Sequence, residues 1–148
     1  MVTALREKAE NFAKESGTEL ILIDGAPGIG CPVIASITGS DLALFVTEPT
    51  LSGLHDLKRI WELGQHFQIE SWVVINKSDL SSENAESIRK FCNEKEVPVV
   101  AEIPFDDDVV RSMTIGLSTY EYNPNGVFAR NIISIWESLS NFVSQTQS

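Results

Sequence analysis

Apolar residues along this chain fall into two kinds of run, short unbroken ones and longer ones spaced by three and four, and their alternation sets the expected architecture. Between residues 2 and 16, Leu5, Ala9, Phe12 and Ala13 share one helical face among Arg, Lys and Glu, and Gly17 stops the run. Leu20-Ile-Leu-Ile-Asp24 follows as a continuous apolar stretch that ends in a lone carboxylate and then in Gly25-Ala-Pro-Gly-Ile-Gly-Cys-Pro32. A run of this length bounded by Gly and Pro predicts a buried strand of a parallel sheet. Pro32 to Ile37 predicts one or two helical turns ended near Gly39, and Asp41-Leu-Ala-Leu-Phe-Val-Thr-Glu48 predicts a second strand closed by Pro49. Leu54, Leu57, Trp61 and Phe67 predict a helix over residues 51 to 67. Trp72 to Ile75 predicts a third strand, ended by Asn76-Lys-Ser-Asp79. Ser81 and Ser82 open a helix with Ala85, Ile88, Phe91 and Cys92 on one face, and Val97 to Ile103 forms a fourth strand stopping at Pro104. Asp106-Asp107-Asp108 suits the first turn of another helix, where the macrodipole favours negative charge, better than it suits a metal site. A turn-rich linker from Tyr120 to Gly126 leads to a long helix over 127 to 145, with Phe128, Ile132, Ile135, Leu139 and Phe142 toward the core.

Strand followed by helix, repeated four times, gives an α/β class: a parallel sheet of about four strands covered by helices on both faces, in one domain over 1–148. The polar residues at strand C-terminal ends, Asp24, Thr47, Glu48, Asn76, Asp79 and then Pro104, are expected along one edge of that sheet, where open α/β sheets bind ligands. Asp24 there is suited to hold Mg²⁺ directly or through a water, and Gly28 and Gly30 to bring backbone N–H groups close to a phosphate. The plainer alternative is an ordinary turn in which Asp24 only caps a helix.

Charge narrows the partners. The formal net charge is −10 with no Lys/Arg cluster, so nucleic acid and anionic membrane surfaces are not expected. No apolar run reaches the ~18 residues of a membrane span and the N-terminus has no secretory pattern, so a cytoplasmic location is expected. Cys31 and Cys92 cannot alone supply the four ligands of a zinc or iron–sulfur site and are expected as small core hydrophobes. His55 and His66 are expected on the surface of one helix, without a catalytic role.

Taken together, Asp24-Gly-Ala-Pro-Gly-Ile-Gly-Cys-Pro, Val46-Thr-Glu-Pro-Thr-Leu-Ser-Gly-Leu-His-Asp-Leu-Lys-Arg59, Ile75-Asn-Lys-Ser-Asp79 and Ile103-Pro104 resemble successive motifs of the MinD/ParA/Mrp class of deviant P-loop ATPases. Within that class the chain is most similar to the ATPases that carry an inserted ferredoxin domain, and the match runs from about residue 2 to about 118. The resemblance implies ATP and Mg²⁺ as ligands. It implies Asp24 as the Mg²⁺ carboxylate, Gly28 in the loop facing the γ-phosphate, and Asp56 beneath the nucleotide where the family holds its signature lysine. It further implies Asn76 against the purine, and Ile103 and Pro104 walling its ring. No glycine loop ending in Gly-Lys-Ser/Thr occurs anywhere in the chain. In the family that loop lies on an N-terminal strand with the ferredoxin insert after it. The chain therefore looks like the C-terminal half of such an ATPase, with any iron–sulfur cluster in the missing insert.

Other readings stay open from the residues alone. Asn76 to Asp79 suits a GTPase-like domain in which Asp79 accepts from a guanine edge, although Pro27 stands where the D-x-x-G pattern wants glycine. Gly25, Gly28, Gly30 and Glu48 suit a dinucleotide-binding domain, with the glycine order reversed from the usual fingerprint. A non-catalytic interaction module is the remaining option. In the family the phosphate-loop strand lies between the strands ending at Asp24 and Glu48. Without it those two strands are expected either to close up and pair directly or to accept a segment of a second copy, as a homodimer; the missing N-terminal half is the other expected partner.

Overall fold

The computed structural model describes residues 2–28 and 30–146. Three parallel strands, β1 (Leu42–Thr47), β2 (Glu70–Asn76) and β3 (Val99–Ile103), lie in the order β1-β2-β3. Leu42 pairs with Glu70 and Thr47 with Ile75, while β2 meets β3 through Val73↔Val99 and Asn76↔Ile103 with an irregularity after Val73. Helices α3 (Leu51–His66) and α4 (Ser82–Glu94) make the crossovers, as parallel neighbours require. Before the sheet come α1 (Val2–Ser16) and α2 (Cys31–Ile37), and after it α5 (Asp107–Thr114), the single turn α6 (Thr119–Tyr122) and α7 (Val127–Thr146).

The period-two alternation of the strands divides the core. Ala43, Phe45, Val73 and Ile75 face α3 and α4, where Leu57, Ile88, Phe91 and Cys92 complete the larger cluster. Leu44, Val74 and Ile103 face the opposite side, packed with Ile135, Phe128 and Leu139 of α7. Ile75 and Ile88 lose all exposure, and burial of each such side chain is worth about 1.5–3 kcal/mol. Trp61 and Phe91 lock α3 to α4 edge to face at 5.7 Å, and Trp72 meets Phe142 of α7 at 5.5 Å. Caps set the helix starts. Thr50 accepts from the Gly53 N–H, Ser81 from Asn84, and Asp106 from Asp108, so the acidic triplet does open α5. Gly53 also lets α3 sit hard against the end of β1, since a Cβ there would stand 2.2 Å from the Glu48 carbonyl oxygen.

The α/β class with helices on both faces is as expected, but the sheet has three strands where about four were expected. Residues 20–24 do not join it. They run in an extended path without a ladder, Leu22 is 85% exposed, and between Glu19 and Gly28 no backbone group finds a backbone partner among the described residues. Nor do they close up on β1. An open groove of about 1180 Å³ separates the two, lined on one side by Leu20 to Asp24 and on the other by Leu42 to Thr47. Apolarity made the segment look like a strand, yet a strand exists only where a neighbour takes its hydrogen bonds. Among the described residues no helix is long and apolar enough to cross a membrane.

The two neighbours Ile135 and Trp136 on α7 separate core from groove. Ile135 is buried and Trp136 is 55% exposed along the groove wall. Ile135→Ala is expected to cost about 2–5 kcal/mol in urea denaturation and Trp136→Ala under about 1 kcal/mol.

Candidate functional site

Parallel strands deliver their C-terminal ends to one edge, and the expected residues gather there in two groups. Asp24, Gly28 and Asp56 line the mouth of the groove, together with Thr47 and Glu48 at the end of β1. Asp24 follows the extended segment and is exposed. Gly28 takes φ +91, a left-handed conformation that a side chain would strain, with open space around its Cα. Asp56 lies in the second turn of α3, exposed, with His55 Nδ1 at 3.5 Å from its carboxylate. Farther along the edge, Asn76 ends β2 half-buried opposite Ile103, which is buried, and Pro104 leads out of β3. Pro104 borders a shallower trough of about 510 Å³ with Asp108, Arg111, Asn123 and Arg130. The structure thus brings the first group together at the groove and sets the second beside it.

Two sets of contacts bind this edge and were not foreseen. Lys77, at φ 50, turns its Nζ to Glu48 Oε1 at 2.7 Å, bridging the ends of β1 and β2. Both side chains are about 40% exposed, so the bridge contributes at most about 1 kcal/mol, but it engages the Lys77 ammonium. Asp79 Oδ1 accepts the Phe105 N–H at 2.8 Å, and Ser78 donates its N–H to the Ile103 carbonyl at 2.9 Å, so the Asn76-to-Asp79 turn is laced to the end of β3. Polar residues after two adjacent strands were the only sequence signal for either contact.

The groove is acidic. Glu10, Glu19, Asp24, Asp41, Glu48 and Asp56 line it against Arg6, the one basic side chain there among the described residues. Arg6 is already engaged, with the carbonyls of Thr38 and Gly39 and with Glu10 at 3.0 Å. Carboxylate oxygen is a donor that Mg²⁺ accepts, but among the described residues no three acidic, His or Cys side chains come together as a metal cluster, so Asp24 stands as a single candidate ligand. A triphosphate alone does not fit the charge, because among the described residues Arg6 is the one basic side chain lining the groove and it is engaged.

One expectation is corrected. Cys31 is exposed at the start of α2, not a core residue, because the first turn of that helix leaves it uncovered; Cys92 is buried as expected. Burial pushes the Cys92 thiol up to about 11. His55 and His66 are on the surface of α3 as expected.

No family model matches the chain. It is 32% identical over 137 residues to the uncharacterized protein MJ0578 of Methanocaldococcus jannaschii, a match covering 93% of this chain and 45% of that protein. The chain therefore spans less than half the length of this relative. Among solved structures, the MinD cell division protein of Aquifex aeolicus superposes with a TM-score of 0.78 at 17% identity, covering 95% of this chain and 61% of that one. The septum site-determining protein MinD of Pyrococcus horikoshii, complexed with Mg-ADP, gives 0.68 at 23% identity, covering 80% and 49%. The fold is thus that of the MinD/ParA ATPases, and the three-stranded sheet corresponds to a portion of it.

Thiol titration with a chromogenic disulfide at pH 8 is expected to consume one thiol quickly. Cys31→Ser should abolish that fast phase, and the second thiol should react only in denaturant.

Proposed function

We propose that this chain is the C-terminal portion of a MinD/ParA-like ATPase domain, of the kind carrying a ferredoxin insert, and that it contributes one side of an ATP·Mg²⁺ site without being competent for hydrolysis alone. The observation that carries the proposal is the convergence of Asp24, the Gly28 loop and Asp56 at the C-terminal mouth of a parallel sheet. The MinD-like fold and the Mg-ADP bound to the Pyrococcus horikoshii protein support the same assignment. Asp24 would hold Mg²⁺, Gly28 would face the γ-phosphate, and Asp56 would receive a lysine from the missing portion. Asn76, Ile103 and Pro104 would frame the purine. When bound, Mg²⁺ would draw charge from the phosphate oxygens. Any cluster ligands would belong to the insert, since one exposed and one buried cysteine are no cluster site. A soluble cytoplasmic location fits this role.

The GTPase alternative has less support, because the solved structures that share this fold are MinD/ParA ATPases, and Asp79 Oδ1 is engaged with the Phe105 N–H. Phosphoryl transfer needs positive charge on the transferring group, and the groove supplies carboxylates. The isolated chain is expected to release no phosphate from ATP. Magnesium-dependent turnover that is lost in Asp24→Ala would contradict the proposal. Residual base affinity is expected to favour adenine over guanine and to fall in Asn76→Ala, measured by calorimetric titration. Tight GTP binding abolished by Asp79→Ala would favour the alternative.

A further inference from the structure

Asparagine followed by glycine is a reactive pair in a polypeptide, because the backbone nitrogen of a residue without a side chain can close on the amide carbon before it. Asn125-Gly126 is the one such pair in this sequence. The fold decides whether it reacts, and it leaves this pair open. Asn125 lies in the exposed turn between α6 and α7, and its side-chain amide has no partner among the described residues. Its neighbours are held. Asn123 Nδ2 donates to Asp108 Oδ2 at 2.7 Å and is followed by Pro124, whose nitrogen has no hydrogen to give up, and Asn131 Nδ2 donates to the Val127 carbonyl within α7. The turn also fixes the glycine. It is closed by the Gly126 N–H donating to the Asn123 carbonyl at 3.0 Å, and a Cβ on Gly126 would stand 3.0 Å from Asn123 Nδ2 and 3.1 Å from that carbonyl oxygen. The unhindered residue that the reaction needs is thus the one that the turn needs. Its one bond occupies the attacking nitrogen only while the turn is shut, and an exposed turn opens many times during a slow covalent step.

We propose that Asn125 is a site of spontaneous deamidation, and that its isoaspartate product loosens the start of α7. The Gly126 nitrogen bonds to Asn125 Cγ and loses its proton, the Cγ–NH2 bond breaks, and ammonia leaves behind a five-membered succinimide. Water then opens the ring at either carbonyl, to aspartate or to isoaspartate, with nothing oxidised or reduced. The aspartate product suits its place. It stands beside the Arg130 guanidinium, which already donates to the Asn125 carbonyl, and just before α7, whose first turn carries no acidic residue and whose N-terminal end favours negative charge. Isoaspartate does not suit it, because the main chain then runs through the former side chain and gains a methylene inside the turn. That moves Gly126 away from the Asn123 carbonyl, and moves its own carbonyl away from the Arg130 N–H that it accepts at 3.1 Å in the first turn of α7. No nucleotide takes part, so this stands or falls separately from the ATP proposal.

The test ages the full chain in warm, mildly alkaline buffer and follows it by intact mass, anion exchange and peptide mapping. A species with the mass gain of an NH2-to-OH exchange is expected, eluting later by one negative charge and mapping to Asn125 as aspartate and isoaspartate, the latter a substrate for a protein isoaspartate methyltransferase. Mildly acidic buffer should slow its appearance, since the attacking nitrogen has to lose its proton. Asn125→Gln would have to close a less favourable six-membered ring, and it should keep the mass and charge of the fresh chain. The separated isoaspartate fraction should melt below Asn125→Asp, which should melt with the unmodified chain. An aged chain of unchanged mass, a gain that maps to another asparagine, or an equal gain in Asn125→Gln overturns the proposal. So does conversion seen only in urea, because the folded turn would then protect the pair. An isoaspartate fraction that melts with Asn125→Asp overturns the effect on α7.

Discussion

The constraint on which this structure depends is that every backbone N–H and C=O of an apolar strand needs a partner. β2 meets it on both sides and is the most buried strand, with Val73, Val74 and Ile75 at 2% exposure or less. β1 meets it on one side, and Val46 remains 64% exposed near its end. Residues 20–24 do not meet it at all. A buried polar group left without a partner costs about 1–3 kcal/mol, so the open arrangement survives only where water reaches the groove. The same rule explains why the helices still cover the gap. α3 is fixed by its packing on Phe45 and Ile75, and α7 by its packing on Val74 and Ile103, whatever lies between β1 and the extended segment.

Electrostatics at the C-terminal edge follow from the same gap. With β1 and the extended segment held apart, Asp24, Glu48 and Asp56 line one groove, and Lys77 is taken by Glu48. The carboxylates repel a phosphate chain, which would need positive charge from elsewhere. The turn from Asn76 to Asp79 is tied through Phe105 and Ile103 to β3, so the far part of the edge is rigid where the near part is open.

Most of the fold was legible in the sequence, because helices and the paired strands are written in local pattern. The spacing of Leu54, Leu57 and Trp61, the caps at Ser81 and Asp106, and the apolar runs of β1, β2 and β3 each carry their own signal. Residues 20–24 carry the same signal and form no strand, because pairing is a property of the neighbour and no local pattern reports whether the neighbour is there. Cys31 is exposed where a small core hydrophobe was expected, because residue type alone does not report whether a neighbour covers it. At the site, the position of Glu48 and Asn76 along one edge followed from strand order and Asp56 was named only through the family resemblance, whereas the Lys77 to Glu48 bridge needed a left-handed residue that an Asn-Lys-Ser turn does not announce.

The claim that the sheet is open at β1 is tested most directly by amide hydrogen exchange of the isolated chain, resolved residue by residue. The account predicts that residues 20–24 exchange at the rate of an unstructured peptide and that part of β1 exchanges far faster than β2, although both strands share one sheet. Protection of residues 20–24 equal to that of Val73 to Ile75 would contradict it.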